Sequence, residues 1–287
     1  MSSSAGQARA ALGVRLRELR RDAHLSGKEL AAVCGWHPSK VSRIEWAKQQ
    51  PTEDDLLAWC RAVGKQAAYD DLVAALRNLR SMYLEWRRIT AGGHAPRQRR
   101  SIEIESVVKG LRWHEVNVIP GLLQTADYAR GILRACIDMT GGRNDLDDAV
   151  AVRMARKKVL HSGARRFTFL IEAAALYRTV ASPEVMVTQM DTLLDASHNP
   201  RVSLGIIPLT ALYRCPARGF IVFDDAMVMV ETPSAELTVT SPSEIRTYER
   251  TFELLAKSAV FGDSARDLIA EARSVHAGSL DMGDGTI

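Results

Sequence analysis

Cysteine is scarce in these 287 residues and never clustered: Cys34, Cys60, Cys136 and Cys215 stand far apart with no C-x-x-C pair among them. That excludes a disulfide-stapled scaffold and points to reduced, packed thiols in a cytosol. The seven histidines form no H-E-x-x-H and no paired Cys/His spacing, so no metal site is expected. A nucleophile elbow of the form G-x-S-x-G is missing, as is a phosphate-cradling G-x-x-x-x-G-K-[ST] loop. No apolar run reaches about 18 residues, and the opening Met-Ser-Ser-Ser-Ala-Gly-Gln has no apolar leader. The expectation is a cytoplasmic protein with no membrane partner, no cofactor and no enzymatic centre. Asp224-Asp225 reads as the tip of a hairpin rather than as a carboxylate pair for acid-base work.

What is present is ordinary in amount and uneven in placement. Hydrophobic residues make up 46% and charged residues 25%, which excludes a disordered chain, and the length suits two domains. Residues 1–100 hold 18 basic against 10 acidic side chains, whereas the remainder holds 20 against 24. Positive potential confined to one end points to a polyanionic partner there.

That basic end is patterned as short helices. Leu12, Leu16 and Leu19 recur at helical spacing between Arg9 and Ala23. Ser26 with Glu29 three residues on is a capping box, opening a helix through Leu30, Ala31 and Val33 that Gly35 ends. Pro38 suits the first turn of a third helix carrying Val41 and Ile44. Thr52 caps a fourth, with Glu53, Asp54 and Asp55 at its positive end, and a fifth is expected from Tyr69 to about Trp86. Leu30, Ala31, Val41 and Ile44 can pack the second and third helices together, with Gly35 in the tight turn. The second helix of such a pair can enter a DNA major groove. His37, Ser39, Lys40, Ser42 and Arg43 are then its outward side chains. Arg43 is the first candidate for base reading, because a guanidinium can donate twice to guanine. Ser26 and Lys28 are candidates for phosphate contact, extended by Arg15, Arg17, Arg20 and Arg21.

The remainder reads as α+β. Helices are expected near 101–114, 125–136, 145–161 and 183–196, and strands at 166–171, 202–207, 220–223, 227–230 and 237–240, with helices again after Pro242. The predicted architecture is a mainly α N-terminal helix-turn-helix domain of four to five helices, then an α+β domain with a small, mostly antiparallel sheet. The expected boundaries are 1–88, a Gly/Pro/Arg-rich linker at 89–100, a second domain at 101–277 and a disordered tail at 278–287.

The tract Leu25-Ser-Gly-Lys-Glu-Leu-Ala through Ser42-Arg-Ile-Glu45 resembles the Cro/cI, or XRE, class of repressor domains over about 55 residues, with Gly27 departing from the glutamine common there. Tyr83-Leu-Glu-Trp-Arg-Arg, Arg99-Arg-Ser-Ile-Glu-Ile-Glu105, Val118-Ile-Pro-Gly-Leu-Leu-Gln-Thr-Ala-Asp-Tyr128 and Ala211-Leu-Tyr with Gly219-Phe and Glu231 are similar to actinobacterial regulators of WhiJ type. That resemblance implies an antitoxin-like C-terminal domain and a small protein partner from a neighbouring gene. Ala91-Gly92 resembles the cleavage dipeptide of self-cutting repressors, but no lysine follows Ser264, so the serine-lysine pair they need is missing. The expectation is a transcription regulator with double-stranded DNA as partner, a homodimer on paired half-sites, open to modulation by a protein partner or a small-molecule effector. The alternative is an antitoxin-like protein that sequesters a small partner and binds DNA for autoregulation.

Overall fold

In the computed structural model, which describes residues 4–78, 84–85, 92–141, 143–232 and 235–281, the leucines at 12, 16 and 19 are all buried on one face of α1 (Ser4–Asp22). Four further helices follow: α2 (Gly27–Val33), α3 (Pro38–Glu45), α4 (Glu53–Ala62) and α5 (Tyr69–Asn78). Leu16, Leu30, Val41, Ile44, Leu56, Trp59 and Leu72 form their common core. The caps read from sequence are in place. Ser26 and Thr52 each accept a hydrogen bond from the third residue of their helices, and Pro38 stands in the first turn of α3. Gly35 turns between α2 and α3 at φ 68°, a left-handed conformation that glycine adopts without strain.

The chain divides into two units, Met1–Leu84 with Glu236–Arg246, and Glu85–Ala235 with Thr247–Ile287. The return of Glu236–Arg246 to the first unit is not expected from the sequence. Val239 and Ile245 are buried, and Asp71 on α5 accepts from the Ser241 hydroxyl at 3.0 Å and the Ser243 N–H at 3.2 Å.

The second unit begins with helix α6 (His94–Val107), so residues 94–100 are helical where a linker is expected. Its inward face is polar. His94, Gln98, Ser101 and Glu105 are buried at helical spacing, so the segment shows no apolar stripe. Strand β2 (Gly110–Glu115) follows, where the sequence reading continues a helix to 114; β1 is the two-residue strand Leu84–Glu85, where the fifth helix was expected to continue. Helices α7 (Ala126–Thr140) and α8 (Leu146–Arg156) precede β3 (Arg166–Glu172). A short α9 (Ala173–Tyr177) and α10 (Pro183–Ala196) then carry the chain to β4 (Val202–Ile207). Strands β5 (Phe220–Phe223) and β6 (Met227–Glu231) form the expected hairpin, with Asp224 in its turn accepting from the Lys109 and Gly110 N–H groups. Strand β7 (Ala235–Val239), α11 (Pro242–Ala256) and α12 (Asp263–Asp281) complete the chain. Helix α12 covers residues 278–281, which the sequence reading places in a disordered tail; 282–287 lie outside the described residues, as do Leu79, Tyr83 and Trp86 of the expected fifth helix.

Five strands of the sheet lie in the second unit in the order β6-β5-β2-β3-β4. β2, β3 and β4 run parallel, and β5 joins β2 antiparallel. The sheet is therefore mixed, which corrects the expected small, mostly antiparallel one. Two crossovers make it mixed: β3 and β4 pair in parallel around α9 and α10, and β2, which the sequence reading does not include, pairs in parallel with β3 around α7 and α8.

Gly13 sets how closely α1 approaches the end of α3. A Cβ placed there would stand 2.6 Å from the Glu45 carbonyl oxygen and 2.9 Å from that of Ile44. Alanine ordinarily favours a helix over glycine by about 1 kcal/mol, but here the clash reverses the sign. Gly13→Ala is expected to destabilise the first unit by about 1–3 kcal/mol, read from urea unfolding followed by tryptophan fluorescence. A stabilised variant would show that the approach is loose.

Candidate nucleic-acid interface

Helix α3 buries Val41, Ile44 and Glu45 and leaves His37, Ser42 and Arg43 exposed, with Ser39 and Lys40 half-buried. The five outward residues predicted from sequence thus lie together on or at the start of one helix. His37 is its N-cap: its Nδ1 lies 3.3 Å from the Ser39 backbone nitrogen, accepting from it, and 2.8 Å from the Ser39 hydroxyl.

The two basic candidates on this helix differ in how free they are. Lys40 Nζ lies 2.6 Å from Asp55 Oδ1 and 4.3 Å above the Trp36 ring. Asp55 in turn accepts from the Thr52 N–H with its other oxygen, closing the capping box of α4. Lys40 is thereby held against α4, and reading a base would require giving up a short ion pair. Arg43 is exposed, and its Nε donates to Gln49 Oε1 at 3.0 Å. Among the described residues its two terminal nitrogens make no hydrogen bond. Gln49 therefore orients the guanidinium from the Nε side and leaves the fork that matches guanine O6 and N7 available.

At the start of α2 the Ser26 hydroxyl is occupied by the Glu29 N–H at 3.2 Å, and the Ser26 N–H donates to Glu29 Oε2 at 2.6 Å. Those hydrogen bonds hold the Glu29 carboxyl below its ordinary pKa. A carboxylate therefore stands where a docking phosphate would approach, which leaves exposed Lys28 as the better phosphate contact of the two.

The arginines of α1 divide in the same way. Arg20 Nε and Nη2 reach Glu45 at 2.6 and 3.0 Å, Arg17 Nε reaches it at 3.3 Å, and Arg17 Nη2 donates to the Glu45 carbonyl at 3.1 Å. The Arg17 guanidinium also lies 4.2 Å over the ring of exposed Trp46. Both arginines are structural clamps between α1 and α3, not the extended phosphate surface that their sequence spacing suggested. Arg15 and Arg21 remain exposed. Sequence reasoning missed Glu45, Asp55 and Gln49 as the residues that decide which cations stay free. For Glu45 a signal existed: it lies one turn after buried Val41, so its carboxylate falls inside and needs a cation.

A family model described as "Helix-turn-helix domain" matches residues 11–76, and one described as "Domain of unknown function (DUF5753)" matches residues 98–271. No curated protein matches the chain. A solved structure described as "Structure of TrmBL2, an archaeal chromatin protein, shows a novel mode of DNA binding" aligns over 82% of this chain and 87% of its own at 11% identity and a TM-score of 0.32. That likeness is too slight to carry an argument.

Replacing Glu45 by glutamine leaves Arg17 and Arg20 facing a neutral amide and should lower stability by about 2–3 kcal/mol. Arg15→Ala, at an exposed pair with Glu18, should change it by less than about 0.5 kcal/mol. Equal thermal midpoints for the two variants would remove the clamp.

Proposed function

The chain belongs to the DUF5753 family, its family domain joined here to a helix-turn-helix domain, and from that premise we propose that it is a DNA-binding transcription regulator. Helix α3 enters the major groove, Arg43 reads a base and Lys28 holds a phosphate. The observation that carries this reading is the Arg43 side chain, exposed on α3, oriented by Gln49 and with its terminal fork unoccupied among the described residues. Ser39, Ser42 and His37 lie beside it as shorter polar contacts, with Ser26 at the neighbouring helix start. One such module reads a half-site, so a homodimer on half-sites about 34 Å apart fits the reading. The similarity to WhiJ-type actinobacterial regulators supports a cytoplasmic role and a C-terminal domain that responds to a partner or an effector.

A second reading, an antitoxin-like protein that sequesters a small partner, is favoured by one observation. Leu209, Leu212 and Tyr213, in the stretch between β4 and β5, are 73%, 72% and 75% exposed, and such apolar exposure suits protein contact.

The test is binding to DNA from upstream of the chain's own gene and to a scrambled control, at two salt concentrations. Arg43→Ala is expected to lose about 1–3 kcal/mol on the native fragment and to relax specificity at one base pair, whereas Lys28→Ala weakens both DNAs alike. Equal losses on both DNAs for both variants would refute the assignment of roles. A stoichiometric small protein that co-purifies and blocks DNA binding would favour the second reading.

A further inference from the structure

A cavity of 540 Å³ lies inside the second unit, walled by α6, α7, α8 and strands β2, β5 and β6. Much of its lining is apolar, with Ile104, Trp113, Ile132, Leu133, Met139 and Met229 among the residues. Its volume falls within the range of small-molecule sites, about 300–1,000 Å³. Into this space α8 presents two arginines one turn apart, Arg153 and Arg156, and α6 presents Arg97.

The three guanidiniums are not equally neutralised. Arg156 is buried and paired with Glu105, with Nε at 3.1 Å from Oε2 and Nη2 on Oε1. Arg97 Nη2 lies 2.8 Å from Glu231. Arg153 donates hydrogen bonds only to neutral amides, Nε to Gln98 Oε1 at 3.1 Å and Nη1 to Gln124 Oε1 at 2.9 Å, and the Glu231 carboxylate held by Arg97 acts on it without a direct bond. Gln98 Oε1 is shared with Arg156 Nη1 at 2.6 Å, so two cations converge on one uncharged acceptor. Gln124 is itself fixed, because its Nε2 donates to the Ile119 carbonyl at 2.7 Å. Among the described residues no carboxylate pairs with Arg153, and its Nη2 makes no hydrogen bond.

A desolvated cation held by neutral groups is costly unless an anion arrives. Burial pulls the Arg153 pKa down to about 10, so the group stays charged near neutrality. Glu115, which also lines the cavity, is pushed up by burial to about 7, which weakens the negative charge that would oppose an anion. Burial also lowers the pKa of His94, another residue of the lining.

We propose that this cavity binds an organic monoanion, a carboxylate on an apolar body, with the carboxylate held by Arg153 and the body against Trp113, Ile132 and Met229. A carboxylate oxygen can accept from the Arg153 Nη2 that the two amides leave open, and the apolar lining removes the rest of the ligand from water. The proposal deepens the regulatory reading by giving the second domain a ligand class, and the binding step is measured without DNA.

The test uses the full chain and a series of straight-chain alkanoates from butanoate to decanoate, together with 2-naphthoate. Each is titrated beside its neutral twin, the matched alkanol or 2-naphthamide, by calorimetry and thermal shift. At least one carboxylate is expected to bind tenfold or more tightly than its twin. Arg153→Gln should remove that preference, Arg153→Lys should retain part of it, and Arg130→Gln, at an exposed pair with Asp147, should leave it unchanged. Arg153→Gln removes a cation that no carboxylate pairs with directly among the described residues, so the variant is expected to fold. Should that variant fail to fold, the wild-type comparison of each acid with its twin still decides. No preference for any acid in the series, or a preference that survives in folded Arg153→Gln, overturns the proposal. Carboxylate binding without DNA binding supports the cavity and counts against the regulator reading; the reverse overturns the cavity alone.

Discussion

The carboxylate of Glu45 is where the first unit is held to its shape. It sits at the buried end of α3, and two guanidiniums from α1 close on it while the bare Cα of Gly13 lets the helices approach. Packing of Leu16 against Val41 and Ile44 would hold the two helices in contact without defining their register. Directional hydrogen bonds from Arg17 and Arg20 add that definition, because a guanidinium fork accepts few orientations. The outward direction of Arg43, two residues before Glu45, follows from where Glu45 is anchored.

The two units use arginine in related ways. In each, two guanidiniums from one helix converge on one acceptor: Arg17 and Arg20 on the Glu45 carboxylate, and Arg153 and Arg156 on the neutral Gln98 Oε1, with Arg156 alone also paired to Glu105. The first arrangement is complete, since both cations reach the one buried carboxylate. The second leaves Arg153, which lines the cavity, without a directly bonded carboxylate among the described residues.

Legibility in the sequence followed the range of the interactions. Caps at Ser26, Pro38 and Thr52, the glycine turn at Gly35, helix α10 and strand β4 were readable because each depends on residues within a few positions. Strand β2 was not, since its parallel pairing with β3 lies some fifty residues away and Leu111 and Trp113 are equally compatible with a helix. The first turns of α6, residues 94–100, were hidden by their chemistry: the inward face shows His94 and Gln98 where a core helix shows leucine, and only the part from 101 on reads as helix. The candidate residues of α3 were found by their outward spacing, but which of them are free was decided by Asp55 and Gln49, whose side chains arrive from beyond the helix.

The first unit takes Glu236–Arg246 into its own fold, with Val239 and Ile245 buried and Asp71 bonded to Ser241 and Ser243. A ribosome delivers this segment only after all of Glu85–Ala235 has emerged. The helix-turn-helix can begin to form early, but its unit is finished late, so a nascent or prematurely terminated chain carries the DNA-facing helices on an incomplete support. A fragment cut near residue 88 would lack the same piece, and its behaviour on DNA would describe the unfinished unit.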